Sequence, residues 1–186
     1  MRTRALLTVL ICSVLCSAVC AQKVLMPSKG NNIVYDGTVN VNHNFNGDYV
    51  CSKLKSWVIA ATKEYHLDVQ RMSDEGCTIT INASTAIDKG GNFNDVDCSF
   101  NLVINIAEEG LNYQLTDLVF NKAQHQYSVN EVYSRYRQND PYVKAVFENK
   151  QAALRRHEFL LNALDKRMTA LTSSLKTYML QMGMTK

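Results

Sequence analysis

The chain has 186 residues, of which 46% are hydrophobic and 20% are charged, with 20 Lys and Arg against 17 Asp and Glu. This composition is that of an ordinary globular protein and excludes a collagen-like, a purely coiled-coil or a polytopic membrane protein. The chain lacks the strong basic excess of phosphate-binding proteins, so no nucleic-acid partner is expected.

The first 21 residues have the pattern of a secretory signal peptide. Arg2 and Arg4 precede an apolar run that ends at Val19, and the small residue Ala21 is followed by a polar segment. An apolar helix of this length spans only about 22 Å, which is shorter than the ~30 Å hydrocarbon core of a membrane. We therefore predict cleavage after Ala21, a periplasmic or secreted protein, no transmembrane segment after cleavage, and an N-terminal segment over residues 22–31. A lipid anchor on Cys20 is the weaker alternative, because Ser17-Ala18-Val19 fits the lipoprotein pattern poorly.

Residues 32–182 are predicted to form a single domain that begins with a strand and a helix. Apolar and polar residues alternate from Asn32 to Asn42, which is typical of a half-buried strand. Apolar residues then recur at 3.6-residue spacing, which predicts a first helix over Tyr49–His66 with Asp48 as its N-cap.

Four further strands are predicted to follow in hairpin order. They cover Leu67–Met72, a segment that starts at Cys77, Val96–Ala107 and Leu111–Phe120. The middle hairpin is expected to pair Cys98 with Thr85. In the last strand the apolar phase changes near Asp117, which predicts a β-bulge or a frayed end there.

The C-terminal third is predicted to contain a polar insertion over residues 122–139 and a long helix over residues 141–182. Ser128 and Glu131 match a capping box, so a short helix is expected to begin there. The long helix carries an apolar stripe at alternating spacings of three and four residues. Such a stripe also predicts that this helix pairs with a second copy of itself in a homodimer. Its residues are Leu154, His157, Leu161, Leu164, Met168, Leu171, Leu175, Tyr178 and Met182.

The predicted fold is α+β, with a curved five-stranded antiparallel sheet in β-α-β-β-β-β-α order and helices covering one face. The stretch from Ile33 to Phe120, with Leu54-Lys55-Ser56-Trp57 on the first helix, resembles an exported bacterial domain of unknown function with a TATA-binding-protein-like fold. The closing Tyr113–Asp117 segment and the long C-terminal helix carry the same resemblance. The resemblance implies a curved sheet with helices packed on one face. The family has no assigned activity or catalytic residues that could be transferred to this sequence.

The cysteines that follow the predicted signal peptide are Cys51, Cys77 and Cys98. An odd count cannot form a closed set of disulfides, and Cys77 and Cys98 are offset by several residues in the predicted hairpin. Buried free thiols are therefore expected. A zinc site is not expected, because Cys-x-x-Cys and His-x-x-x-His spacings do not occur in the sequence.

The remaining candidates for catalytic, metal-binding or phosphate-binding residues lack the spacing of a recognised motif. His43, His66, His125 and His157 are scattered, and Cys51 lies in the first turn of a helix without a nucleophile motif. The Asp95 and Asp97 loop lacks the spacing of an EF-hand, and Gly90-Gly91 does not open a helix and so is not a phosphate-binding loop. No catalytic residues, metal or cofactor are predicted.

One group of residues forms a candidate interaction face. On the outward side of three predicted strands the side chains are short, polar and almost uncharged, whereas Lys and Glu are common on a sheet face that meets only water. The sequence predicts an exported, non-catalytic binding or assembly module that contacts an unidentified protein or glycan through this face or through the C-terminal helix. Because Thr and Ser suit exposed strands in general, a face that meets only water is the other interpretation. The alternative is an envelope hydrolase that assembles His43, Asp95 or Cys51 from separate loops. The predicted face consists of Thr78, Thr80, Asn82, Ser99, Asn101, Asn105, Asn112, Gln114 and Thr116.

Overall fold

A computed structural model describes residues 23–40, 46–75, 78–88, 95–107, 110–138 and 150–182. The predicted signal peptide lies outside the described residues, as do His43, Cys77, Gly90-Gly91 and residues 139–149, which include the predicted start of the long helix.

The described residues form eight strands and three helices. Their order along the chain is β1 (Ser28–Lys29), β2 (Asn32–Ile33), β3 (Tyr35–Asn40), α1 (Gly47–Glu64), β4 (Asp68–Glu75), β5 (Thr78–Asp88), β6 (Val96–Ala107), β7 (Gly110–Lys122), β8 (His125–Ser128), α2 (Val129–Gln138) and α3 (Lys150–Gln181).

The main sheet is antiparallel, and its strands are ordered β3-β7-β6-β5-β4, with β8 paired to the C-terminal half of β7. Helices α1 and α3 cover one face. The predicted α+β class and the central hairpin are confirmed, and Thr85 lies opposite Cys98 as expected. Cys98 is a buried free thiol.

The sheet has six strands rather than the predicted five. Strand β8 lies within the segment predicted as a polar insertion, and all four of its residues are exposed. An exposed edge strand has no alternation of apolar and polar residues to reveal it. The predicted first strand is also interrupted, because Ile33 pairs with Ser28 in a separate two-stranded sheet and Tyr35 begins the strand that pairs with β7.

Strand β7 contains the predicted bulge. The register shifts between Ser99 and Asn101 on β6, opposite Val119 and Thr116 of β7, and Asp117 has a φ of 55°. One extra residue in β7 reverses which side chains face the core, so that Leu115 before the bulge and Leu118 after it are both buried. The bulge therefore keeps the whole strand apolar on its inner side.

Helix α1 begins where Asn46 caps it. The Asn46 side chain accepts a hydrogen bond from the Asp48 backbone N–H at 3.1 Å, so Asn46 is the N-cap and the prediction of Asp48 was wrong. Asp48 lies in the first turn, where a negative charge is favoured by the helix dipole. The helix ends at Glu64, two residues before its predicted end.

Helix α3 buries its apolar stripe in the core of its own chain. The stripe residues between Leu161 and Leu175 lie at most 1% exposed. Four hydrogen bonds join the described part of the helix to other parts of the chain. Tyr35 bonds to Asp165, Trp57 to Ser174 and Arg167 to the Ala86 carbonyl oxygen, and the Tyr65 hydroxyl donates to the Ala170 carbonyl oxygen. A second copy of the chain would therefore have to contact other residues of this helix.

The N-terminal segment packs against α2. Val24 and Met26 are buried, and their backbone N–H groups donate to the hydroxyls of Tyr136 and Tyr133, each at 3.2 Å. Helix α2 begins at Val129, directly after Ser128, as the capping-box pattern predicts. Two tyrosines of the predicted polar insertion thus bind the segment that contains Val24 and Met26 through hydrogen bonds.

Candidate functional site

The nine residues of the predicted interaction face lie on the sheet face opposite α1 and α3, and they form three rows across β5, β6 and β7. We call these nine residues the polar sheet face. The rows are Thr78, Asn105 and Asn112, then Thr80 and Gln114 on either side of Val103, then Asn82, Asn101 and Thr116, while Ser99 lies beside the third row, opposite Ser84.

Side chains of this face bond to one another across strands. The Thr78 hydroxyl donates to Asn105 Oδ1 at 2.9 Å, and the Thr38 hydroxyl of β3 donates to Asn112 Oδ1 at 2.8 Å. The Asn101 Oδ1 atom is buried and accepts no hydrogen bond. A buried polar atom without a partner costs free energy, so this amide oxygen is an unfavourable feature of the face that a bound donor would relieve.

A pocket of about 500 Å³ lies at one end of the polar sheet face, beside the turn between β7 and β8. It brings together strands that are far apart in sequence, because Gln70 comes from β4 and Asn121 from β7. We call it the turn pocket. Its lining consists of Gln70, Ser99, Asn121, Gln124 and Gln126, together with Ala123 and His125.

A second pocket, of about 730 Å³, surrounds Cys51 at the other end of the sheet. The Cys51 thiol lies 3.6 Å from Asp74 Oδ2, and Lys55 forms an ion pair with the same carboxylate at 2.6 Å. Burial and the Asp74 charge raise the pKa of the Cys51 thiol. A cysteine nucleophile needs a lowered pKa, so this environment is the opposite of an activating one.

The remaining candidate residues are dispersed over the described part of the chain. Asp95 precedes the first residue of β6, whereas Ile106 near the end of β6 lines the Cys51 pocket, a separation of about 30 Å along the strand. His66 follows α1, His125 lies in the turn pocket, and His157 lies on α3. Among the described residues, groups of three or more His, Cys, Asp or Glu that could hold a metal ion do not occur.

Within the described residues, none of the helices combines the length and the apolar character needed to cross a membrane.

Comparison with solved structures identifies the fold. The chain is similar to a DUF4468 family protein from Bacteroides ovatus, at 14% identity and a TM-score of 0.52 over 80% of this chain and 90% of that one. It is also similar to a TBP-like protein from Parabacteroides distasonis, at 12% identity and a TM-score of 0.51 over 80% of this chain and 95% of that one. The chain has a TATA-binding-protein-like fold. Protein-family models and curated proteins give no match.

In this TATA-binding-protein-like fold, the polar sheet face is the side of the sheet that the helices leave open. Residue alternation located that face correctly, but it did not locate the turn pocket. Gln70 lies at a register shift between Val69 and Arg71 of β4, and the β7–β8 turn has no apolar pattern. The one sequence signal was the density of amides in the Asn121–Gln126 segment, where four of six residues carry an amide or an imidazole.

Proposed function

We propose that the protein is an exported, non-catalytic module that binds a neutral polar ligand through the polar sheet face. The observation that carries the proposal is the composition of this face. All nine side chains lie on β5 to β7 and carry hydroxyl or amide groups; eight of them form three rows, and Ser99 lies beside the third row. Hydroxyl and amide groups donate and accept hydrogen bonds, so such a surface suits a ligand that does both.

The charges around the sheet support a neutral ligand. The free edge of β4 carries Asp68, Arg71, Asp74 and Glu75, which discourage another strand from pairing there. The polar sheet face has no charged residue among its nine members. The charges that flank this face at β4, Arg71 beside Asn82 and Glu75 beside Thr78, have opposite signs, so an ionic ligand of either sign gains little net attraction.

The environment of Cys51 supports a non-catalytic role. Asp74 neutralises Lys55 and raises the pKa of the Cys51 thiol, so the described nucleophile candidate is protonated at neutral pH. The hydrolase alternative required two of its candidate residues within hydrogen-bonding distance. Of those candidates, Cys51 and Asp95 lie near opposite ends of β6.

Ligand binding by lysine variants tests the role of the face. The purified chain is applied to an array of neutral and charged oligosaccharides and of peptides, beside Thr80→Lys/Asn101→Lys. The matched control, Thr169→Lys/Asn162→Lys, adds the same charges at exposed positions of α3. We expect a neutral ligand to be retained by the wild type and the control and lost by the face variant. Equal binding by all three proteins, or binding of charged ligands alone, would overturn the proposal.

Export has its own test. The full chain is expressed in a Gram-negative bacterium, and its N-terminus is read by mass spectrometry in each cell fraction. We expect a chain that begins at Gln22 in the periplasm or medium. A chain that retains Met1 in the cytoplasm would contradict export, whereas acylation at Cys20 would replace secretion by anchoring.

A further inference from the structure

We propose that the turn pocket binds a neutral carbohydrate, an inference that rests on the proposed function and names its ligand class. The central group is Asn121. Its Nδ2 atom donates to the Ser99 hydroxyl at 3.2 Å, while its Oδ1 atom is buried and has no hydrogen-bond partner. The contact with Ser99 fixes the amide, and a ligand hydroxyl that donates to the unpaired oxygen would remove the free-energy cost of leaving it without a partner.

Ser99 is held in turn by β7. Its hydroxyl lies 3.5 Å from the Val119 carbonyl oxygen, to which it donates, and it accepts from Asn121. Ser99 and Asn121 thus form a preorganised pair on two neighbouring strands. A preorganised pair loses little conformational freedom when a ligand binds, which favours affinity.

Three glutamines complete the polar lining from two directions. Gln126 lies opposite Asn121 in the β7–β8 ladder, and Gln124 lies in the turn between these strands. Gln70 reaches the pocket from β4, where the register shift changes the direction of the side chain. Each amide offers a donor and an acceptor, the combination that neighbouring hydroxyls of a sugar ring also offer.

The chemistry of the lining separates a carbohydrate from other ligands. A phosphate or carboxylate ligand calls for Arg or Lys, and the lining contains neither. An apolar ligand would leave the amides without hydrogen bonds, which is costly. A peptide that extends a sheet binds at a free strand edge, whereas this pocket lies on the face of the sheet.

Size and neighbouring charge agree with this assignment. The volume of about 500 Å³ lies within the usual range for small-molecule sites and accommodates one or two sugar rings. Asp97 lies opposite Asn121 on the same face. Asp97 does not line the pocket, but its negative charge nearby disfavours anionic ligands, so acidic sugars are expected to bind more weakly than neutral ones.

Nuclear magnetic resonance titration of the purified chain tests the inference. The probes are the neutral disaccharides cellobiose, lactose, maltose and N,N′-diacetylchitobiose, and one uronic-acid disaccharide. We expect at least one neutral disaccharide to shift the backbone amide signals of residues 121–126 in a saturable manner. Asn121→Ala should weaken that sugar at least tenfold, while the control Asn162→Ala, at an exposed position of α3 outside the polar sheet face, leaves its affinity within twofold.

Two results would overturn the carbohydrate assignment: no saturable shift with any neutral disaccharide, or equal affinity in Asn121→Ala and the wild type. Unchanged thermal unfolding of Asn121→Ala ensures that a loss of binding reflects the pocket rather than the fold. Suppose one of these two results is obtained but the array still shows a neutral ligand that the lysine variant loses. The carbohydrate inference then fails while the proposed function stands. If the lysine variant binds like the wild type, the proposed function fails as well.

Discussion

The Tyr35 hydroxyl donates a hydrogen bond of 2.9 Å to the Asp165 carboxylate, which joins the edge strand β3 to helix α3 inside the core. The tyrosine is buried, with 6% of its surface exposed, so little of it meets water. Burial and the negative charge of Asp165 raise the pKa of Tyr35 well above its ordinary value of 10. This bond is one of four that fix the described part of α3 to the rest of the chain.

The raised pKa predicts a loss of stability in alkali. Above pH 10 the unfolded chain releases the Tyr35 proton while the folded chain retains it, so the free energy of unfolding falls as pH rises. One such group contributes a slope of about 1.4 kcal/mol per pH unit. Tyr35→Phe should make the decline shallower by that amount and cost roughly 1.5–3 kcal/mol at pH 7 through the lost bond to a carboxylate.

Urea unfolding at pH 7, 9.5, 10.5 and 11 measures both effects, with Tyr127→Phe on the exposed strand β8 as the control. An alkaline slope that is the same in Tyr35→Phe and the wild type would contradict the assignment. Asp165→Asn keeps an acceptor for the hydroxyl but removes the charge, so it should lower the pKa of Tyr35 in the folded chain. The decline should then still begin near pH 10, where the unfolded chain loses the proton, but end at a lower pH and be smaller in total.

The two described thiols should differ in reactivity. Cys98 is inaccessible, and burial raises its pKa to about 12, whereas Cys51 lies at the edge of a pocket. Alkylation at pH 8, read for each cysteine by mass spectrometry, should modify Cys51 slowly and leave Cys98 intact. Asp74→Asn removes a carboxylate that raises the pKa of Cys51, so it should accelerate labelling of Cys51 several-fold. Labelling of Cys98 is the internal control, and an unchanged rate at Cys51 would refute the role given to Asp74.

Two glycines should respond to alanine in opposite ways. A Cβ atom at Gly110 would lie 2.5 Å from the Val39 carbonyl oxygen, because β3 and β7 approach closely there. At Gly47, the first residue of α1, nothing lies within 4 Å. Gly110→Ala should therefore cost about 2 kcal/mol or more, whereas Gly47→Ala should add about 0.5 kcal/mol by restricting the unfolded chain. Thermal unfolding of both variants checks this, and a stable Gly110→Ala would show that the strands can separate.

The alternation of apolar and polar residues predicted the parts of this fold in which one side of an element is buried and the other is exposed to solvent. It gave the pairing of Thr85 with Cys98 and the bulge at Asp117, since both follow from which side chains must face the core. It missed β8 because an exposed edge strand buries no alternating residues. It also missed Val24 and Met26, whose burial depends on two distant tyrosine hydroxyls.

The two parts of the candidate site, the polar sheet face and the turn pocket, also differ in whether the sequence could predict them. The polar sheet face could be predicted because its residues alternate with core residues along three strands. The turn pocket could not, because Asn121 and Gln70 are 51 positions apart and meet only through the order of four strands and a register shift in β4. Local pattern predicts which face a residue shares, while tertiary topology decides which residues become neighbours.

The contact between Trp57 and Ser174 should measure how firmly α1 packs on α3. The indole Nε1–H donates to the Ser174 hydroxyl at 3.1 Å, and Trp57 is the one tryptophan of the chain, so its fluorescence reports on this contact. Ser174→Ala leaves a largely buried N–H without its partner and should lower the free energy of unfolding by about 1–2 kcal/mol. Ser173→Ala, one residue away and exposed, should instead be neutral or stabilising, because alanine favours helix more than serine does. Urea unfolding followed by fluorescence compares the two variants, and equal stability would show that the hydrogen bond contributes nothing to the packing of these helices.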